Sequence, residues 1–157
     1  MSSGRQHERI NKGFLFVVIT LSFLLSLFIH YGTEGAILAG CFMFGYGAGT
    51  YYLSPDLDVR SRPYKRWGPF RFIWIPYQTM FTHRSFWTHG ILLGDLIRFL
   101  YLLLWLFPLW GMLGFPLPTS YKREILVFFS GTSLASVVHI LTDHSSSFLK
   151  KRKKRRK

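Results

Sequence analysis

Four apolar stretches, nearly free of charge, limit what this chain can fold into: Phe14 to Ile29, Gly35 to Leu53, Ile91 to Leu113 and Ile125 to Leu141. A membrane-crossing helix needs about 20 such residues, with a range of roughly 17–25. The first and fourth are short and must borrow flanking residues or sit in thin bilayer. The second is rich in small residues (Gly40, Gly45, Gly47, Ala48, Gly49), which let helices approach closely. Pro108 is expected to kink or end the third. The first stretch follows Arg5, Arg9 and Lys12 like the start of a secretory leader, but no small-residue cleavage site follows before His30 to Glu34. It therefore reads as a retained helix.

Charge sets the orientation. The net charge is +13 although 49% of residues are apolar and 18% aromatic. Nucleic-acid binding alone explains the charge but not the apolar runs. Basic residues fall before the first stretch, between the second and third (Arg60, Arg62, Lys65, Arg66, Arg71, Arg84) and throughout Lys150 to Lys157. The other two connections offer only Lys122 and Arg123. The positive-inside rule puts both termini and the long middle segment in the cytoplasm. The expected fold is all-α: a four-helix transmembrane bundle over residues 1–149, with a polar site at its cytoplasmic face and a disordered basic tail over 150–157. Cys41 is the single cysteine, so an intrachain disulfide and a thiolate-rich metal site are both excluded.

The middle segment interleaves aromatics with cations from Arg66 to Tyr77, a pattern expected to lie in the headgroup layer. Around it the chemistry-bearing residues gather. His7 precedes the first stretch; Asp56 and Asp58 follow the second; His83 and His89 precede the third; His139 and Asp143 close the fourth. All lie at the cytoplasmic end of a stretch, so antiparallel helices would bring them together. His139 and Asp143 are four apart and share a helix face. Asp56 and Asp58 are two apart, so an extended segment points both the same way. Ser3 and Gln6 form a capping box that puts His7 on the face of Ile10 and Phe14. Imidazole and carboxylate donors without sulfur suit zinc, iron or manganese. The set His7, Asp56, Asp58, His83, His89, His139 and Asp143 exceeds the roughly three ligands of one catalytic zinc, which leaves room for two ions or for outer-shell roles. Arg84 offers a fork for a substrate oxyanion.

Each residue has a plainer role. Histidines and aspartates at a membrane interface also cap helices or meet headgroups, and Asp in a Pro-Asp turn is common. Their conjunction near hydrocarbon is what favours function. His30 falls on the opposite face, and His144 lies about 100° round the helix from Asp143. Asp95 and Arg98, three apart, are expected to pair. The basic tail fixes topology first, binds anionic lipid second and nucleic acid only last.

Ser3 to Asn11, Ser54-Pro55-Asp56-Leu57-Asp58, His83-Arg84-Ser85-Phe86-Trp87-Thr88-His89 and His139-Ile140-Leu141-Thr142-Asp143 resemble the DUF2227 family of uncharacterised bacterial metal-binding membrane proteins. More distantly they resemble the bacterial inner-membrane metal-dependent hydrolases. The resemblance covers most of the chain except the tail. It implies that the same His and Asp residues form the metal site, and it adds hydrolysis, which residue spacing alone does not yield. It also makes the plasma (inner) membrane the expected location, with a thylakoid membrane as the alternative.

The expectation is a metal-dependent hydrolase acting on a membrane-associated ester or phosphoester, with Asp58 as general base and Arg84 on the substrate. The competing readings are a non-enzymatic metal protein (sensor, storage or chaperone) and a structural membrane protein whose tail binds lipid or nucleic acid. Transport is disfavoured, because only Asp95 and Arg98 lie inside a predicted span.

Overall fold

A computed structural model describes residues 9–10, 12–21, 32–83, 85–114 and 121–154, with side chains as far as 145. The described residues are mostly helical, without strands. The long helices are α1 (Lys12–Leu21), α2 (Gly32–Tyr51), α6 (Leu93–Met112) and α7 (Lys122–Lys154). Between α2 and α6 run three short helices, α3 (Arg62–Arg66), α4 (Trp74–Met80) and α5 (Phe86–His89), with two 3-10 helices at Pro55–Asp58 and Gly68–Ile73.

Among the described residues, two helices are long and apolar enough to cross a membrane: α6, and α7 over Lys122–Ser145. At 1.5 Å per residue α6 is about 30 Å long. The described part of α1 is short, and α2 is diluted by glycine and hydroxyl-bearing residues. The helices thus agree with the expected all-α class, while the bundle of four spans is a finer reading than they establish. Pro108 lies inside α6, which continues to Met112. Helix α7 runs on through Lys154, into the basic segment that the sequence sets apart.

Helices α2 and α7 form the most extensive pairing in the molecule. A Cβ on Gly45 would lie 2.1 Å from the Phe128 carbonyl oxygen, and one on Gly131 would lie 2.3 Å from that of Phe42. At Gly49 it would meet Ala135 Cβ at 2.9 Å. The helices therefore touch backbone to backbone, the role expected of the small residues in α2. Gly40 and Gly47 have open space instead.

The middle segment builds an aromatic core at one end of this pair. Leu57, Tyr64, Trp74 and Tyr77 are its buried members, flanked by Leu53, Trp67, Phe81, Ile97, Tyr101 and Leu102. Trp67 meets Trp74 edge-on at 5.2 Å, and Tyr77 meets Tyr101 at 5.2 Å, geometries that the ring quadrupoles favour. Trp74 and Tyr77 are fully buried, whereas Phe70, Phe72 and Ile75 stay exposed, so only part of the segment is left for the headgroup layer expected of it.

Side chain to backbone bonds lock the core to the end of α2. Trp67 Nε1 donates to the Tyr52 carbonyl at 3.1 Å, and Arg66 donates to that of Tyr51 at 3.4 Å. Gln78 Nε2 donates to the Leu57 carbonyl at 2.9 Å.

Candidate metal centre

Pro55 stands at the first position of its 3-10 helix, where its fixed φ is favourable and its missing N–H costs nothing. Asp56 and Asp58 therefore leave a tight turn, not the extended segment expected from their spacing. Leu57 between them is 0% exposed and points into the aromatic core. That anchor turns both aspartates toward α5 and α7, at different depths: the side chain of Asp56 is 22% exposed and that of Asp58 is 0%.

Helix α5 and the turn before it bring the histidines. His83 Nδ1 lies 3.0 Å from Asp58 Oδ1. His89 Nδ1 lies 3.6 Å from Asp58 Oδ2, and its Nε2 lies 3.9 Å from Asp56 Oδ1. The His83 and His89 rings meet edge-on at 5.6 Å. After His89 the chain turns sharply into α6 through Leu92, whose φ of 65° is unusual for a side chain with a Cβ. The Leu93 N–H donates to the Ile91 carbonyl across it at 2.8 Å, closing a strained γ-type turn.

Helix α7 supplies the last donor. His139 is buried, with Nε2 3.3 Å from Asp56 Oδ1 and its ring 6.5 Å from that of His89. It reaches the centre from a face of small and hydroxyl residues (Thr132, Ser133, Ala135, Ser136), all buried. The same face lets α2 come close.

Two groups of potential ligands result: Asp56, His89 and His139, and Asp58, His83 and His89. The expected residues Asp56, Asp58, His83, His89 and His139 are thus assembled from three separate segments. Asp143 lies one turn past His139 on α7 and belongs to neither group. His7 and Arg84 lie outside the described residues, as does His30. His144 is exposed.

The first group suits a divalent ion. Bonds of about 2.0–2.1 Å in a tetrahedron put ligand atoms about 3.3 Å apart, against 3.3 and 3.9 Å here. His89 Nε2 is buried and has no hydrogen-bond partner among the described residues, a costly arrangement unless something binds there. Burial lowers the pKa of His89, as do neighbouring His139 and His83, against the opposing pull of Asp58 and Asp56. The neutral imidazole that a metal requires is therefore the resting form.

Sequence reasoning missed one residue of the centre. Thr88 is 0% exposed and donates its hydroxyl to Asp58 Oδ2 at 3.0 Å. Its place beside His89 was the available signal. Asp95 and Arg98 pair as expected and are nearly fully buried.

The chain matches the family described as uncharacterized metal-binding protein (DUF2227) over residues 2–119. An uncharacterized protein of Aquifex aeolicus (strain VF5) is 34% identical to it over 132 residues, which span 70% of this chain and 92% of that protein. No solved structure matches it significantly. With the family match covering most of its length, the chain belongs to this family of uncharacterized metal-binding proteins.

Proposed function

We propose that the chain is a membrane-embedded, metal-dependent hydrolase holding one divalent cation on Asp56, His89 and His139. The observation that carries this reading is the pair of roles played by His89. One ring nitrogen faces Asp58, and the other faces Asp56 and His139 from a buried position without a hydrogen bond. A carboxylate behind a ligating histidine sets its tautomer and orientation. Asp58, the deeper of the two aspartates, stands on that side and reaches His89 through the Thr88 hydroxyl, and Asp56 has the ligand's place.

Both groups draw on His89 through different nitrogens, so two ions at once would need an imidazolate bridge; one ion is the simpler occupancy. Three protein ligands leave a position open, the pattern of a catalytic rather than a structural site. A bound divalent ion would lower the pKa of a water toward about 7. His83 is suited to accept the proton. Its side chain is 32% exposed, and its Nδ1 faces Asp58, so Nε2 is the basic nitrogen offered outward. That assignment replaces Asp58 as the base. Arg84, next in sequence, remains the candidate for a substrate oxyanion.

The surface supports a membrane location. Helix α6 exposes Leu96, Leu100, Leu103, Leu104 and Phe107, an apolar patch of the kind that marks a lipid contact. With α1 and α2 as further spans, the centre sits at the cytoplasmic face and the basic end of α7 meets anionic headgroups. The substrate class this favours is an ester or phosphoester of a membrane lipid.

The first test is the metal content of purified full-length protein. About one equivalent of zinc, iron or manganese is expected, with a large loss in His139→Ala; equal, near-zero metal in both rules the centre out. The second is turnover of ester and phosphoester lipids with added metal. Hydrolysis that survives His83→Ala/His89→Ala rejects the hydrolase assignment. Retained metal without turnover leaves a non-enzymatic metal protein.

A further inference from the structure

Beside the metal centre, α6 buries an arginine and an aspartate that the proposed chemistry does not use. Arg98 is 2% exposed and Asp95 is 4% exposed. Arg98 Nη2 pairs with Asp95 and also donates to Ser136 Oγ of α7 at 3.1 Å. Ser136 Oγ donates to Asp95 Oδ1 at 2.6 Å. The other terminal nitrogen, Nη1, donates to the backbone carbonyl of Thr88 at 2.8 Å. One guanidinium thus ties α5, α6 and α7 together. A second, independent feature serves the same contact. A Cβ on Gly94 would lie 2.6 Å from the Thr88 carbonyl oxygen and 2.9 Å from its carbon. Helix α6 presents bare backbone where Thr88 rests on it.

Thr88 is the residue with most to say about His89. Its hydroxyl carries one proton, with Asp58 Oδ2 as an acceptor at 3.0 Å. Its oxygen also lies 3.0 Å from His89 Nδ1. Whether the proton goes to Asp58 or to the Ser85 carbonyl at 3.3 Å, a hydroxyl that has already donated accepts from His89, an arrangement that favours the proton on Nδ1. The lone pair is then on Nε2, facing Asp56 and His139.

We infer that Asp95, Arg98 and Ser136 form a positioning device for the metal centre: they pin the backbone of Thr88, whose hydroxyl selects the metal-binding tautomer of His89. The inference rests on the metal-centre reading for its purpose, but its geometry makes a claim of its own. Isolated buried charges are expensive to keep, and here the pair is spent on holding a neighbouring helix at a fixed height.

The test uses the full-length protein in detergent micelles, with cobalt(II) as the probe. Thr88→Val should weaken cobalt binding on the order of tenfold and change its visible absorption, and Thr88→Ser should restore both. Asp95→Leu/Arg98→Met removes both charges and strands neither. It should weaken binding by a similar factor and add little on top of Thr88→Val, as expected of groups acting through one residue. A folded Asp95→Leu/Arg98→Met protein with wild-type affinity and spectrum overturns the inference. If that protein does not fold, Thr88→Val against Thr88→Ser decides alone, and equal binding by the two overturns it.

If the wild type binds no cobalt, the metal reading fails separately. The device is then read from ring nitrogen-15 shifts of His89. The Nδ1–H tautomer should dominate in wild type and become mixed in Thr88→Val, and an unchanged ring in that variant overturns the inference.

Discussion

Helix α7 holds its two neighbours by opposite means. Against α2 it uses the absence of side chains: Gly45 and Gly131 allow backbone to meet backbone, and dispersion over a long seam does the rest. With α6 it shares less contact, and the tie of note is polar: Ser136 on the Asp95–Arg98 pair. An apolar seam tolerates a slide of one helix along another far better than a charge-assisted hydrogen-bond network does. The seam supplies most of the association, whereas the polar tie supplies the register that brings α5 and its histidines to His139.

Gly45→Ala should break the seam outright. A methyl 2.1 Å from the Phe128 carbonyl forces the helices apart at a cost of about 3 kcal/mol or more, visible as a large drop in thermal midpoint together with loss of metal. If Gly45→Ala melts like the wild type, the helices are not in backbone contact. Asp95→Ala should come next. It leaves Arg98 buried without its counter-charge, a loss of about 3–5 kcal/mol, whereas Asp95→Leu/Arg98→Met should cost much less. Equal losses in the two would mean that stranded charge is not the cause. Gln78→Ala removes the bond to the Leu57 carbonyl and should cost about 1 kcal/mol. A smaller loss of metal affinity should follow as the turn bearing Asp56 loosens. Gly47→Ala is the mildest. Its Cβ would meet open space, so helix propensity should stabilise the protein by about 0.5–1 kcal/mol. A loss there as large as at Gly45 would show that the seam extends around the helix.

Much of this was visible in the amino-acid order. The apolar runs mark α2, α6 and α7 by their length and lack of charge, and the small residues of α2 mark a close seam. The donors now gathered stand out because each follows or precedes an apolar run. What was not legible depends on partners far along the chain. Trp74 and Trp67 read alike in the sequence, yet Trp74 is fully buried and Trp67 is not, since only folding decides which ring Leu57 and Tyr101 cover. Asp56 and Asp58 have the same spacing in a strand as in a 3-10 turn; Pro55 ends α2 in either case. Pro108 does not end α6, which runs on to Met112. The seam partner Gly131, with Ala135 four residues on, was an available small-residue signal. Thr88 was marked only by its place beside His89, since a hydroxyl reveals its role through the atoms within about 3 Å of it.

Leu57 has a practical consequence. It is the single residue between two aspartates, and it is also a member of the cluster that contains Trp74. Any small rotation of the turn when a cation is seated must be passed to an indole nearby. The chain thus carries its own optical gauge of occupancy: emission from the buried tryptophan should track filling of the centre, so affinity can be followed without a label or a known substrate.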